Sequence, residues 1–160
     1  MPRDTESERV VAQNRRASHD YFILETFEAG LVLTGTEVKS LRQGKASLTE
    51  AYATVEGSEA WVRQLHIPPY EQGNRWNADP VRARKLLLHR REIDSLLRAV
   101  ARKGQTIIPL KLYFSGGHAK LLLGVAKGKK TYDKRHSMAE RDARREMDRA
   151  RARARQAPDR

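Results

Sequence analysis

The apolar residues of this chain fall into short runs that glycine- and proline-containing segments separate. This pattern predicts three strand pairs and one further strand: residues 20–27 with 31–34, 51–56 with 60–67, 106–114 with 119–126, and residues 84–88. The turn of the first pair is Glu28-Ala29-Gly30, where glycine would supply a positive φ. Gly57 and Gly116-Gly117 have the same position in the other two pairs.

Two other segments follow the period of an α-helix. Residues 36–43 have apolar residues three apart, Thr34 or Thr36 available as the cap, and Gly44 at the end. The stronger helix has apolar residues at positions i, i+3, i+4, i+7 and i+8, which are Ile93, Leu96, Leu97, Val100 and Ala101. We expect this stripe, including Leu97, to lie in the core.

Six or seven short strands with two inserted helices predict an OB-type closed β-barrel, because closure removes exposed strand edges. An open α+β sandwich is the alternative. Residues 14–126 would form the barrel, and the polar residues 1–13 would be a flexible N-terminus. Residues 127–160 contain no Leu, Ile, Val, Phe or Trp, so they cannot build a core, and we expect a tail that is disordered when free.

The net charge of the chain indicates which class of partner it binds. The 160 residues contain 32 Lys and Arg against 20 Asp and Glu, a net charge of +12, of which +7 lies in residues 127–160. Such an excess favours polyanions, and above all nucleic acid. The absence of cysteine excludes disulfides, zinc knuckles and thiol nucleophiles. Because no signal-peptide core or spanning-length apolar run occurs, we expect a cytoplasmic protein without membrane contacts.

Three basic clusters are candidates for RNA contact. In residues 80–91 the alternation of Arg82 and Arg84 would direct both side chains to one face, with Lys85 beside them. Residues 14–21 are basic and are followed by aromatic side chains. Residues 124–135 lack the glycine spacing of a nucleotide-binding loop, but their basic residues surround Tyr132, which fits phosphate neutralisation and base stacking.

Catalytic patterns are weak in this chain. The carboxylates Glu25, Glu28, Glu37 and Glu50 have no diagnostic spacing, and the five histidines lack the spacing of a metal site. We therefore expect no enzyme, no metal and no cofactor. A metal-dependent nuclease and a general nucleic-acid-coating protein are the two alternatives.

Several segments resemble one family over residues 14–142. They are NRRASHDYFILETFEAGLVLTGTEVKSLRQGKASL, HIPPY, RARKLLLHRREIDSL, IIPLKLYF and GVAKGKKTYDKR followed by ERD, and they resemble the SmpB, or SsrA-binding, protein family of bacteria. The resemblance implies an OB-type barrel that binds the tRNA-like domain of transfer-messenger RNA and delivers it to stalled ribosomes. The tail would be helical on the ribosome and would enter the empty decoding site and mRNA path. Elongation factor Tu would be an indirect partner through the charged RNA, and the protein would be a monomer.

The resemblance also implies site residues. On the RNA-binding side they are Asn14, Arg15, Glu28, Leu87 and Lys120, to which the charge pattern adds Arg84 and Lys85. The ribosome-directed tail residues are Gly128, Lys129, Lys130, Tyr132, Asp133, Lys134, Arg135, Arg141 and Arg145. Beyond Asp142 the tail departs from relatives that carry Trp and bulky aliphatic residues, since it has Ala143, Ala150 and Arg151.

Overall fold

The structure is a computed structural model that describes residues 8–129 and 131–156, without the side chains of residues 74–76, 131–138 and 154–156. The strands are β1 (Arg9–Gln13), β2 (Tyr21–Leu31), β3 (Tyr52–Glu56), β4 (Glu59–Arg63), β5 (Arg84–Leu87), β6 (Gln105–Ser115) and β7 (His118–Gly128). The helices are α1 (Ala17–Asp20), α2 (Gly35–Arg42), α3 (Arg90–Val100) and α4 (Thr131–Gln156), with a 3-10 helix at Glu71–Trp76. No helix in the described ranges is long and apolar enough to cross a membrane.

The seven strands form one antiparallel sheet in the order β1-β6-β3-β4-β5-β2-β7, and β6 also pairs with β7. The pairings therefore return on themselves, but very unevenly. The pairs between β6 and β7 run from Gln105–Lys127 to Ser115–His118, whereas β3 meets β6 at the single pair Ala53–Ile107. The predicted strand content is confirmed as a mainly antiparallel sheet with several helices.

The hairpins at Gly57 and at Gly116-Gly117 are confirmed, but the one at Glu28-Ala29-Gly30 is wrong. β2 runs without a turn from Tyr21 to Leu31, and Gly30 is not among the residues with positive φ. A Cβ at Gly30 would instead lie 3.2 Å from the Cβ of Leu87 on β5. Glycine at this position allows two strands to approach closely, which a sequence pattern cannot distinguish from a turn.

The prediction of a flexible N-terminus over residues 1–13 is wrong for Arg9–Gln13. These residues form β1 and pair with Lys111–Phe114 of β6. Within the described ranges, that half of β6 has no other strand on this side, so β1 satisfies backbone groups that would otherwise lack a strand partner. The apolar run of β1 is only Val10–Ala12, too short to give a period on its own.

Both predicted helices are present. Thr34 caps α2 through a capping box, in which the Thr34 hydroxyl accepts from the Glu37 amide and the Glu37 carboxylate accepts from the Thr34 amide. In α3, Ile93 and Leu96 are buried, but the core prediction is wrong for Leu97, whose side chain is 46% exposed, and for Ala101, which is exposed at the C-cap. Only a narrow face of α3 packs against the sheet, and Leu97 lies outside that face.

The contacts divide the chain into two units, before and after the bond between Gly128 and Lys129. In the first unit the core contains side chains from β2 to β7, α2 and α3. In the second, residues 131–156 form one helix, α4, whereas the sequence predicts a tail that is disordered when free. Alanine and arginine have high helix propensity, and residues 131–156 contain no proline or glycine to interrupt the helix.

Candidate nucleic-acid interface

Five neighbouring strands contribute one residue each to a single row on the sheet. The residues pair in the order Leu87, Gly30, Lys120, Tyr113 and Val10, from β5 through β2, β7 and β6 to β1. Residues that pair across strands point to the same face. On β6 the residues next to Tyr113 belong to the hydrophobic core, so this row lies on the outer face of the sheet. We call it the outer row.

Glu28 lies two residues before Gly30 on β2 and therefore on the same face. Its carboxylate accepts a hydrogen bond from the hydroxyl of Tyr113 at Oε2, and its Oε1 lies 3.2 Å from Nζ of Lys120. The Nζ of Lys111 is 4.6 Å from the ring centroid of Tyr113. The Glu28 carboxylate thus contacts a phenol and one ammonium group, while Lys111 lies on the phenol ring and pairs with Glu8 at 3.0 Å. We call Glu28, Tyr113, Lys120 and Lys111 the Glu28 cluster.

The hydrogen bond from Tyr113 is the largest of the effects on Glu28 and lowers the pKa of its carboxyl group. Burial opposes this, while Lys120 and Lys111 lower the pKa further. Burial and the neighbouring carboxylate together raise the pKa of the Tyr113 hydroxyl. At neutral pH the cluster therefore presents an ionised carboxylate, which is a hydrogen-bond acceptor only, beside ammonium donors.

An open groove of about 300 Å³ adjoins this cluster. It is lined by residues of β2, β5, β7 and the start of α3, which are Glu28, Gly30, Leu87, Leu88, His89, Glu92 and Lys120. The side chain of Leu87 is 56% exposed, which fits the prediction that it faces a partner rather than the core. An apolar side chain, an ammonium group and a carboxylate in one groove can contact a sugar or base, a phosphate and a base-edge donor respectively.

The RNA-contact prediction for Arg84 is wrong, because its side chain is 0% exposed. Its Nε donates to Oε2 of Glu37 over 2.5 Å, and its Nη atoms donate to the carbonyl oxygens of Leu65 and Pro80. Arg82 reaches the same carboxylate at 2.5 Å. The alternation of the two arginines does direct them to one face, but that face points inward. We call this group the Glu37 cluster.

Glu37 is 4% exposed, so its charge depends on these partners. Burial alone would raise the pKa of its carboxyl group, but hydrogen bonds from Arg82, the Thr34 amide and Arg84 outweigh burial and lower it. Burial lowers the pKa of Arg84, which Glu37 opposes. A buried, fully bonded ion cluster of this kind joins α2 to β5 and is part of the fold rather than of a surface.

The other predicted RNA-side residues are placed around the outer row. Lys85 lies two residues before Leu87 on β5 and pairs with Glu59 at 3.3 Å. Asn14 follows directly after Gln13, the partner of Lys111, and donates its side-chain amide to the Pro109 carbonyl at 3.3 Å. Arg15 is exposed beside it. Asn14 is thus partly occupied in fixing the end of β1.

The predicted tail residues begin where β7 ends. Gly128 is its last residue and Lys129 follows, while Lys130 lies outside the described residues. The backbone of residues 132–135, which are Tyr132, Asp133, Lys134 and Arg135, lies in the first turns of α4. Arg141 and Arg145 are exposed and one helical turn apart on α4.

Tyr113, Lys111 and Glu37 are site or cluster residues that sequence reasoning missed. A signal for Tyr113 was present, because the two-residue turn Gly116-Gly117 sets the register of the hairpin and places Tyr113 opposite Lys120. No comparable signal exists for Glu37. Within the described part of the chain, no three His, Asp or Glu side chains come together as metal ligands.

Comparisons with known proteins agree with each other. The family model of the SmpB protein matches residues 11–153. An SsrA-binding protein from Lysinibacillus sphaericus is 57% identical over 143 residues, covering 89% of this chain and 92% of the relative. One from Acetivibrio thermocellus is 59% identical over 144 residues, covering 90% of this chain and 94% of the relative. A solved structure described as "tmRNA-SmpB: a journey to the center of the bacterial ribosome" contains a chain with a TM-score of 0.65 and 55% identity, covering 75% of this chain and 85% of that one.

Proposed function

The chain belongs to the SmpB family, and from this premise we propose that it is an SsrA-binding protein of trans-translation. It binds the tRNA-like domain of transfer-messenger RNA, delivers the RNA to stalled ribosomes and enables tagging of the nascent chain. The observation that carries this proposal is the extent of the match, because residues 11–153 include both the sheet and most of α4. A relative that shared only the sheet would support RNA binding alone.

We assign RNA contact to the outer face around the Glu28 cluster. Lys120 and Lys111 supply positive charge, Leu87 supplies an exposed apolar contact, and Glu28 supplies an acceptor. A compact RNA fold is recognised through its shape, its phosphates and its unpaired bases. Lys85 and the Asn14-Arg15 segment border this face and extend the same contact.

We assign ribosome contact to the tail, with Lys129, Lys130, Tyr132, Asp133, Lys134, Arg135, Arg141 and Arg145 directed to the decoding site and mRNA path. The net charge of +7 in residues 127–160 supports binding in a channel of ribosomal RNA. Because α4 has no Leu, Ile, Val, Phe or Trp, phosphate contacts, together with stacking by Tyr132, are the main interactions open to it.

A truncation separates the two functions. The chain should end after Gly128 rather than after Ala126, because Lys127 and Gly128 still pair with β2. We expect this variant to bind transfer-messenger RNA nearly as the full chain does and to support no tagging of stalled nascent chains. Normal tagging by the truncated protein would refute the assignment to the tail.

A matched pair of triple variants tests whether sequence or charge matters in the tail. Replacing Asp133, Lys134 and Arg135 with alanine removes one acidic and two basic residues, as does replacing Asp148, Arg149 and Arg151. We expect the first variant to lose tagging and the second to retain most of it. Equal losses would mean that the tail acts through its net charge alone.

The RNA that copurifies with the protein from cells tests the function as a whole. One discrete transfer-messenger RNA is the expected result, and a mixture of RNAs would support the alternative of a general coating protein. Degradation of the bound RNA on addition of magnesium would support the nuclease alternative.

Finer properties belong to the same proposal. We assign the sheet to the OB type, because its strand pairings return on themselves through β6 and β7. We further propose a non-enzymatic, cytoplasmic monomer that needs no cofactor and meets elongation factor Tu indirectly, through the charged RNA. A single species of about monomer mass in light scattering, and unchanged RNA binding after chelation, are the expected results.

A further inference from the structure

Tyr113 is buried, yet it belongs to neither of the two clusters of packed apolar side chains. Its neighbours on β6, Leu112 and Phe114, point into the core, so Tyr113 points to the outer face of the sheet. Yet it is only 2% exposed. Charged side chains lie around it: Lys111 is above its ring and Glu28 accepts from its hydroxyl. A buried tyrosine whose hydroxyl ends at a surface carboxylate has a role beyond packing.

We propose that Tyr113 is a positioning residue of the RNA-binding surface, whose hydroxyl holds the Glu28 carboxylate at one place beside Lys120 and the Leu87 groove. This inference rests on the proposed function, in which Glu28 faces RNA. Tyr113 itself does not need to touch the RNA.

The chemistry of a carboxylate at an RNA surface explains why it must be held. A carboxylate repels phosphates, so its useful partners in RNA are hydrogen-bond donors, such as the N–H groups of an unpaired base or a ribose 2′-hydroxyl. An ionised carboxylate has about four acceptor sites. Tyr113 and Lys120 occupy one on each oxygen, which leaves capacity for an RNA donor. A free glutamate side chain would have to be ordered when RNA binds.

The other groups around Glu28 do not replace Tyr113. Lys120 on β7 and Lys111 on β6 attract the carboxylate, and Lys111 also pairs with Glu8 at 3.0 Å. His89 and Glu92 at the start of α3 line the same groove. Each ammonium group is joined to its strand by a long, flexible side chain. The phenol is rigid, because its ring is buried on the sheet. Its hydrogen bond is also the main cause of the lowered pKa of Glu28.

The test compares four variants by their affinity for the isolated tRNA-like domain of transfer-messenger RNA: Tyr113→Phe, Glu28→Gln, the double variant, and the control Tyr70→Phe, a half-buried tyrosine away from the groove. We expect Tyr113→Phe to stay folded and to bind about three- to tenfold more weakly, the effect of one hydrogen bond. The double variant should bind no more weakly than Glu28→Gln, because Tyr113 acts through Glu28.

A second readout needs no RNA. The carboxyl-carbon NMR shift of Glu28 in the free protein reports its pKa, which Tyr113→Phe should raise while Tyr70→Phe leaves it unchanged. A purely structural role for Tyr113 would not move this pKa selectively. The acid side of the RNA-binding profile should move to higher pH in Tyr113→Phe, because Glu28 becomes protonated sooner.

The outcomes separate the two proposals. If Glu28→Gln binds RNA as tightly as the unmodified chain, the assignment of Glu28 to the RNA surface fails. If Glu28→Gln weakens binding but Tyr113→Phe equals Tyr70→Phe in affinity or in the pKa of Glu28, the surface stands and the role of Tyr113 is refuted. RNA in which 2′-hydroxyls are replaced by hydrogen shows whether the donor is ribose. If it is, the unmodified protein and Glu28→Gln should bind this RNA with equal affinity.

Discussion

Glu28 and Glu37 lie in one sheet domain, and each has two side chains that donate to it, yet the two clusters differ in burial. Glu37 is buried with Arg82 and Arg84, and Arg84 donates to Glu37 and to backbone carbonyl oxygens. Glu28 is half-exposed with Lys120, on the wall of an open groove. The difference is one of burial: breaking a buried ion cluster costs much stability, whereas an exposed ion pair contributes little to it.

The largest difference between the clusters should appear when each carboxylate is removed. We expect Glu37→Ala to lower the free energy of unfolding by about 3–5 kcal/mol, because it leaves the buried Arg84 charge without its partner. Glu28→Ala should lower it by less than about 1 kcal/mol. Urea denaturation of both variants measures this. Equal losses would remove the distinction between the clusters.

A smaller effect should follow from changing the shape of a buried cation. Arg84→Lys keeps the charge, but one ammonium group cannot reach Glu37, Leu65 and Pro80 together, so we expect a loss of about 1–3 kcal/mol. Arg82→Lys is the matched control, since Arg82 is partly exposed, and should lose less. If both variants are as stable as the parent in denaturant, the several hydrogen bonds of the Arg84 guanidinium group do not contribute to stability.

Glu37 should contribute to the pH dependence of stability. Because its partners lower the pKa of Glu37 in the folded state, its contribution is complete above the unfolded-state pKa and is lost as pH falls through the lower folded value. We expect stability to decline from about pH 5 downward, and less steeply in Glu37→Gln. Denaturation of both proteins across this range checks the slope, and identical slopes would contradict the assignment.

The smallest stability effect is expected at the outer face. Glu28→Gln keeps the shape of the side chain and removes one half-exposed charge, so the free energy of unfolding should change by less than about 1 kcal/mol. Affinity for the tRNA-like domain should nevertheless fall. A calorimetric midpoint that drops as far as that of Glu37→Gln would mean that the Glu28 cluster is structural as well.

Much of the fold could be predicted from local patterns, because two hairpins, α2 and α3 depend on nearby residues. The errors come from contacts between distant segments. The sequence predicts a turn at Gly30 because the close neighbour of this glycine, Leu87, lies far away in sequence. Likewise, alternation correctly placed Arg82 and Arg84 together, but only the position of Glu37 shows that their face is buried.

The candidate site divides in the same way. Glu28 and Leu87 came from resemblance alone, since an acidic residue and a leucine are not expected features of an RNA surface. Tyr113 could have been found from the hairpin register, because the turn at Gly116-Gly117 places it opposite Lys120. The prediction of RNA contact for Arg84 is wrong because net charge does not tell which basic residues have a buried partner.

The most direct test is the affinity of Leu87→Asp for the tRNA-like domain, measured together with its free energy of unfolding. The control is Leu97→Asp, which introduces the same charge at another exposed leucine, outside the groove. We expect Leu87→Asp to remain as stable as the parent within about 1 kcal/mol and to bind at least about tenfold more weakly. Leu97→Asp should bind normally. A folded Leu87→Asp variant with unchanged affinity, or one that does not fold, would contradict the assignment of the outer face to RNA.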